Sequence, residues 1–134
     1  MPLTREYARE ILATYITAWE TQNPDLIVTI FTPEATYHER VLKDPIPDRD
    51  AIRDYWATKV VQEQANITCM LLDYLVDSER EAVTAEWEAH FDDVVQGVRK
   101  RMREVAILEF DGPLIASLRE YWASEQIGEM ETAG

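Results

Sequence analysis

Near residue 66 the spacing of apolar residues changes from one every three or four positions to alternation, which restricts the chain to helices followed by a sheet. Upstream, Tyr7, Ile11, Tyr15 and Trp19 recur every four residues, with Ala8, Leu12 and Ile16 beside them. A first helix capped by Thr4 therefore turns Tyr15 toward the core. Asn23 followed by Pro24 starts a short second helix, because the asparagine side chain caps it and proline suits the first helical position. Ala35 to Val41 reads as a short strand, and Lys43 to Asp48 as a loop, since neither of its prolines serves an interior helix or a central ladder. Asp48 then caps a third helix, with Ile52, Tyr55, Trp56 and Val60 on one side, ending near Gln64.

Downstream, long strands are expected over about 66–77, 80–92, 98–110 and 114–125. Val83, Ala85, Trp87, Ala89 and Phe91 alternate with polar neighbours and define an inward face. Asp111-Gly112-Pro113 joins the last two strands in a tight turn. The strands carry apolar residues on both faces: Met102, Ala106 and Leu108 on one, Val105 and Ile107 on the other. One face is expected to pack on the helices and the other to meet a second copy of the chain, giving a homodimer. Residues 1–128 read as a single domain and 129–134 as a disordered tail.

The charge balance narrows the partners. Acidic residues number 26 against 13 basic ones, an excess that repels phosphate backbones and anionic lipid, so neither nucleic acid nor a membrane is expected as partner. Cys69 is the only cysteine and His38 and His90 are the only histidines, which leaves no disulfide and no basis for a metal site; no cofactor is expected. The charged start Met-Pro-Leu-Thr-Arg-Glu does not read as a signal peptide, and the expected location is cytoplasmic. His38 alternates away from Glu39, and Glu86, Glu88 and His90 face outward opposite the row Arg99, Arg101 and Arg103.

Several short motifs fall in one order: Tyr15-Ile16, the Asn23-Pro24-Asp25 break, Phe31-Thr-Pro-Glu-Ala-Thr36, Arg49-Asp-Ala-Ile52 with Tyr55-Trp56, and Leu108-Glu-Phe-Asp-Gly112 leading into Leu118-Arg-Glu-Tyr-Trp122. In these the chain resembles the nuclear transport factor 2-like superfamily of SnoaL-like (polyketide-cyclase-like) and ketosteroid-isomerase-like proteins. The resemblance implies an α+β, cone-shaped fold, with three N-terminal helices packed on a strongly curved, mostly antiparallel sheet around a small-molecule pocket. It also implies catalytic positions. Ketosteroid isomerase uses an aspartate base, a tyrosine and a protonated aspartic acid; Glu39 falls at the base position, Tyr15 at the tyrosine, and Ala106, which cannot donate, at the third.

A second constellation follows from the last hairpin. Centred on Gly112, it opposes Glu104 to Glu120, Met102 to Trp122 and Ala106 to Leu118 on the pocket side. Facing carboxylates ~5 Å apart at Cβ raise at least one pKa or recruit a cation. Glu39, Glu104 and Glu120, walled by Trp56, Trp87 and Trp122 with Met102 and Leu118, would make an acidic, aromatic cavity. The simpler alternatives are packing for the tryptophans and Tyr15, pairing with Arg40 or solvent exposure for Glu39, and pairing with Lys100 or with an arginine of a partner chain for the two strand glutamates. The expected function is an isomerase, dehydratase or cyclase using acid–base chemistry on a hydrophobic substrate. The alternatives are a ligand-binding protein without catalysis and, last, a protein-interaction module.

Overall fold

The computed structural model describes residues 3–130. Each helix begins where a side chain satisfies a free backbone N–H. Thr4 Oγ1 accepts from the Tyr7 amide at 3.0 Å to open α1 (Arg5–Glu20), Asn23 Oδ1 from Leu26 at 3.1 Å to open α2 (Pro24–Ile27), and Asp48 Oδ1 from Ala51 at 2.8 Å to open α3 (Arg49–Lys59). A single 3₁₀ turn, Val28–Ile30, leads from α2 into the first strand.

α3 is shorter than its apolar pattern implies. It ends at Lys59, and Gln64, read from sequence as the helix end, opens the next strand. The β-branched pair Val60-Val61 disfavours further helix, and the amides of Val61 and Glu63 bond one residue further back than helical geometry allows, to Trp56 and Thr58.

The first strand, β1 (Phe31–His38), starts and ends earlier than expected. Tyr37 exchanges both backbone hydrogen bonds with Ile46, at 3.0 and 2.8 Å, so the chain must reverse within the intervening residues and Glu39 lies one position beyond the strand. Pro33 is tolerated because β1 is an edge strand and the proline falls where its register against the last strand shifts.

Four further strands, β2 (Gln64–Asp77), β3 (Ala82–Asp93), β4 (Val98–Asp111) and β5 (Leu114–Glu129), complete a sheet in the order β1-β5-β4-β3-β2. All its pairs are antiparallel except β1 with β5. β5 runs longer than the alternation suggested: Glu129, assigned from sequence to a frayed tail, pairs with Val98, while residues 131–134 lie outside the described residues.

The register of the last hairpin differs from the expected one. Asp111 faces Leu114 across a two-residue turn where Gly112 takes a φ of +60°, and a shift between Glu109 and Phe110 then leaves Ala116 unpaired. Glu104 is therefore opposite Trp122, Ala106 opposite Glu120, Leu108 opposite Leu118 and Met102 opposite Ser124. The two glutamates are diagonal neighbours on one face, roughly 7–8 Å apart, rather than directly opposed.

Val83, Ala85, Trp87, Ala89 and Phe91 of β3 are buried, as are Ala8, Leu12, Tyr15 and Ala18 of α1 and Ile52 and Trp56 of α3. α1 lies over β2 and α3 beside β1, covering one sheet face and leaving a hollow between helices and strands. On the other face Arg103 bridges Glu86 at 3.4 Å and Glu88 at 2.6 Å. Arg99, grouped by alternation with that outward row, is buried, paired with Asp92 at 3.3 Å and donating to the Asn66 carbonyl at 2.8 Å. No helix among the described residues is long and apolar enough to cross a membrane.

Candidate functional site

The hollow is a cavity of about 140 Å³. α1 contributes Tyr15, β1 Tyr37, α3 Tyr55 and Trp56, β4 Met102 and Glu104, and β5 Glu120 and Trp122. Tyr15 reaches it because the four-residue period of α1 turns this position inward, where its ring stacks on Trp87 at 4.9 Å and meets Trp56 edge-on at 5.6 Å.

At the closed end three oxygens form a triangle. Tyr37 donates to Glu120 Oε1 at 2.5 Å, Tyr15 donates to the same oxygen at 3.0 Å, and the two hydroxyls are 2.9 Å apart. With Glu120 ionised, two hydrogens serve three edges, so the carboxylate accepts at least one in any arrangement. Burial, then the Glu120 charge, holds both tyrosines well above the usual phenol range, and they remain donors.

Glu104 is 3% exposed, and its Oε2 has no hydrogen-bond partner among the described residues. Burial first, and the Glu120 charge second, push its carboxyl well above the ordinary range; the Trp87 indole N–H opposes the rise without reaching hydrogen-bond geometry. Burial also raises Glu120, but the hydrogen bonds from Tyr37 and Tyr15 restrain it and leave it pushed up to about 7. As pH rises Glu120 therefore loses its proton first, near neutrality, and its charge then holds the proton on Glu104, the pair titrating in sequence. Lys100, considered from sequence as a partner for these glutamates, pairs instead with Asp93 at 3.1 Å.

Glu39 lines the same cavity at its mouth. Its carboxylate pairs with Arg40 at 3.4 Å, its backbone carbonyl accepts the Trp122 indole N–H at 3.2 Å, and the Arg40 guanidinium lies over the Trp122 ring at 5.7 Å. Tyr15 and Glu39 share one hollow, yet the carboxylate bonded to Tyr15 is Glu120.

Two expected lining residues lie behind the wall. Trp87 is completely buried beneath the Tyr15 ring, and the shifted register buries Leu118 between Leu108 and Tyr37. Tyr37 and Tyr55 were missed from the sequence. Tyr37 carried a usable signal, because it stands two residues from Glu39 and alternation puts both on one side. Tyr55 was read from the sequence only as part of the apolar side of α3, beside Trp56, and not as a cavity residue.

The SnoaL-like domain family model matches residues 12–118. Among solved structures, the chain is similar to SalBIII, described as an epoxide hydrolase/cyclase-like enzyme with a role in pyran ring formation in the polyether salinomycin. The two are 23% identical with a TM-score of 0.79, over 91% of this chain and 97% of that one. A ketosteroid isomerase-like protein from Catenulispora acidiphila DSM 44928, in complex with trimethylamine, is 20% identical with a TM-score of 0.73 over 84% of each chain. PrhC from Penicillium brasilianum NBRC 6234 is 13% identical with a TM-score of 0.76, over 90% of this chain and 83% of that one. At these identities the likeness is one of fold. No curated protein matches the chain.

Proposed function

The chain belongs to the SnoaL-like domain family, and from that premise we propose that it is a cofactor-independent acid–base catalyst, an isomerase, lyase or cyclase, of a small hydrophobic organic molecule. One observation carries the reading: two buried carboxyl groups share an aromatic cavity, one bonded to two tyrosines and the other with an unpartnered oxygen. Environments that push paired carboxyls apart in pKa assign one as acid and the other as base.

In this mechanism Glu120 is the base and Glu104 the acid. The ionised Glu120 takes a proton from substrate while Tyr15 and Tyr37 hold its carboxylate in place and disperse its charge. Glu104, kept protonated by its surroundings, donates to the substrate oxygen on which negative charge develops. In an isomerisation Glu104 keeps its proton in a hydrogen bond and the proton held by Glu120 goes to the product; in ring closure or elimination Glu104 gives its proton to the oxygen and the one held by Glu120 passes to Glu104, so the pair ends as it began. This assignment moves the base role from Glu39, which is engaged with Arg40 at the entrance, and keeps Tyr15 as a positioning donor. SalBIII's description as cyclase-like supports the reaction class.

Incubation in D₂O with one-ring ketones, enones, allylic alcohols and epoxides, followed by NMR, reports deuterium wash-in and net conversion together. The reading predicts wash-in or conversion above buffer that falls at least ~100-fold in Glu120→Gln. Buffer-level rates across the panel, or a Glu120→Gln protein as fast as the parent, contradict it.

A further inference from the structure

We propose that the ligand of this cavity is a small organic cation, a ring-sized amine whose ammonium group lies against Glu104 and Glu120 and whose hydrocarbon lies between Trp56, Tyr55 and Trp122. The inference names the substrate class of the site described above and rests on the reading that both glutamates face the cavity.

Charge around the cavity is unbalanced. The lining holds five acidic side chains against three basic ones. Each basic group is paired with its own acid: Arg40 with Glu39 at 3.4 Å, Lys59 with Glu63 at 3.5 Å and Lys100 with Asp93 at 3.1 Å. Glu104 and Glu120 are the two acids left over, both buried, and no lysine or arginine among the described residues pairs with either. Glu104 Oε2 is a buried acceptor with no donor from the protein. A buried polar atom of this kind calls for a partner, and an ammonium N–H is a charge-assisted one.

The walls suit the same guest. Tyr15 and Trp56 meet edge to face, Tyr37 and Tyr55 lie 5.7 Å apart, and Trp122 closes the mouth, so the ligand space is bounded by aromatic rings whose faces attract cations. The volume, about 140 Å³, sets the size. A cavity of roughly 150 Å³ holds one benzene ring.

The proton inventory closes. An amine that enters protonated sets its charge against the ionised Glu120 and gives an N–H to Oε2 of Glu104, whose other oxygen keeps the proton that the proposed chemistry uses. An amine that enters neutral takes one proton from solvent and reaches the same state.

Calorimetric titration with three probes of one shape tests this: benzylamine as the cation, benzyl alcohol as the neutral form and benzoate as the anion, at pH 7.5. Benzylamine is expected to bind at least about tenfold more tightly than benzyl alcohol, and benzoate weakest. Replacing both glutamates together, Glu104→Gln with Glu120→Gln, should erase the preference. Trp122→Leu, at a solvent-exposed position where the fold is not at risk, should weaken benzylamine severalfold. Benzyl alcohol or benzoate binding as tightly as benzylamine overturns the cation assignment and leaves acid–base catalysis standing. Failure of all three to bind overturns both.

Discussion

Stability should fall as pH rises through neutrality, the reverse of the usual behaviour of carboxylates. Glu120 moves from 4.5, its ordinary value, to about 7 on folding, and Glu104 also moves up. A raised acid stabilises the fold fully below its unfolded value and loses that contribution as pH climbs through its folded value. For Glu120 the loss between about pH 4.5 and 7 amounts to about 3 kcal/mol, at a limiting slope of about 1.4 kcal/mol per pH unit. Carboxylates held low, such as Asp93, act in the opposite sense but only below their ordinary range, so they do not overlap this window. Urea denaturation from pH 5 to 8 reads the effect directly. Glu120→Gln keeps the shape, an acceptor for the tyrosines and no titrating group. It should remove about half of the slope below pH 7, leaving the part that Glu104 contributes, and exceed the parent in stability at pH 8. A parent protein equally stable at pH 5 and pH 8, or a Glu120→Gln variant with the parent's slope, would refute the argument that these carboxyls lose solvation on folding.

Other outcomes follow from the same geometry. The rate of any reaction turned over should rise as pH passes about 7, where Glu120 ionises, and fall again at higher pH as Glu104 loses its proton; a profile flat from pH 5 to 9 would oppose the roles assigned. Tyr37→Phe removes the stronger of the two hydrogen bonds restraining Glu120, so it should move that rising limb to higher pH and lower the rate near pH 7 roughly tenfold, with Tyr15→Phe acting in the same direction and less. Asp48→Ala removes the cap of α3 and should cost about 1 kcal/mol in urea denaturation, with no change in pH profile.

What could be read from the sequence depended on how local each cause is. The caps at Thr4, Asn23 and Asp48 are contained within a few residues, and all three form as read. The alternation of Val83 to Phe91 is likewise local and sets the buried face of β3. The end of β1 was not legible, because it is decided by pairing between Tyr37 and Ile46 across a loop. Nor was the hairpin register, which depends on the position of Gly112 in its turn and on the unpaired Ala116. That error moved every partner by two residues, and a two-residue slip preserves the face on which side chains lie. Glu104 and Glu120 therefore still meet the same cavity, while Leu118 is carried into the core. Composition and spacing could not distinguish Glu39 from Glu120 as the acid bonded to Tyr15, since that contact spans 105 positions of chain.

The carbon-detected NMR titration of glutamate side-chain carboxyls, with Glu104→Gln and Glu120→Gln used to assign the resonances, addresses the raised carboxyl pair most directly. Both carboxyls should titrate above the ordinary glutamate range in the parent, Glu120 at about 7 and Glu104 after it; Glu120→Gln should lower the midpoint of Glu104, while Glu104→Gln leaves that of Glu120 at about 7. Every glutamate titrating below pH 5.5, with no response of one to the loss of the other, would contradict it.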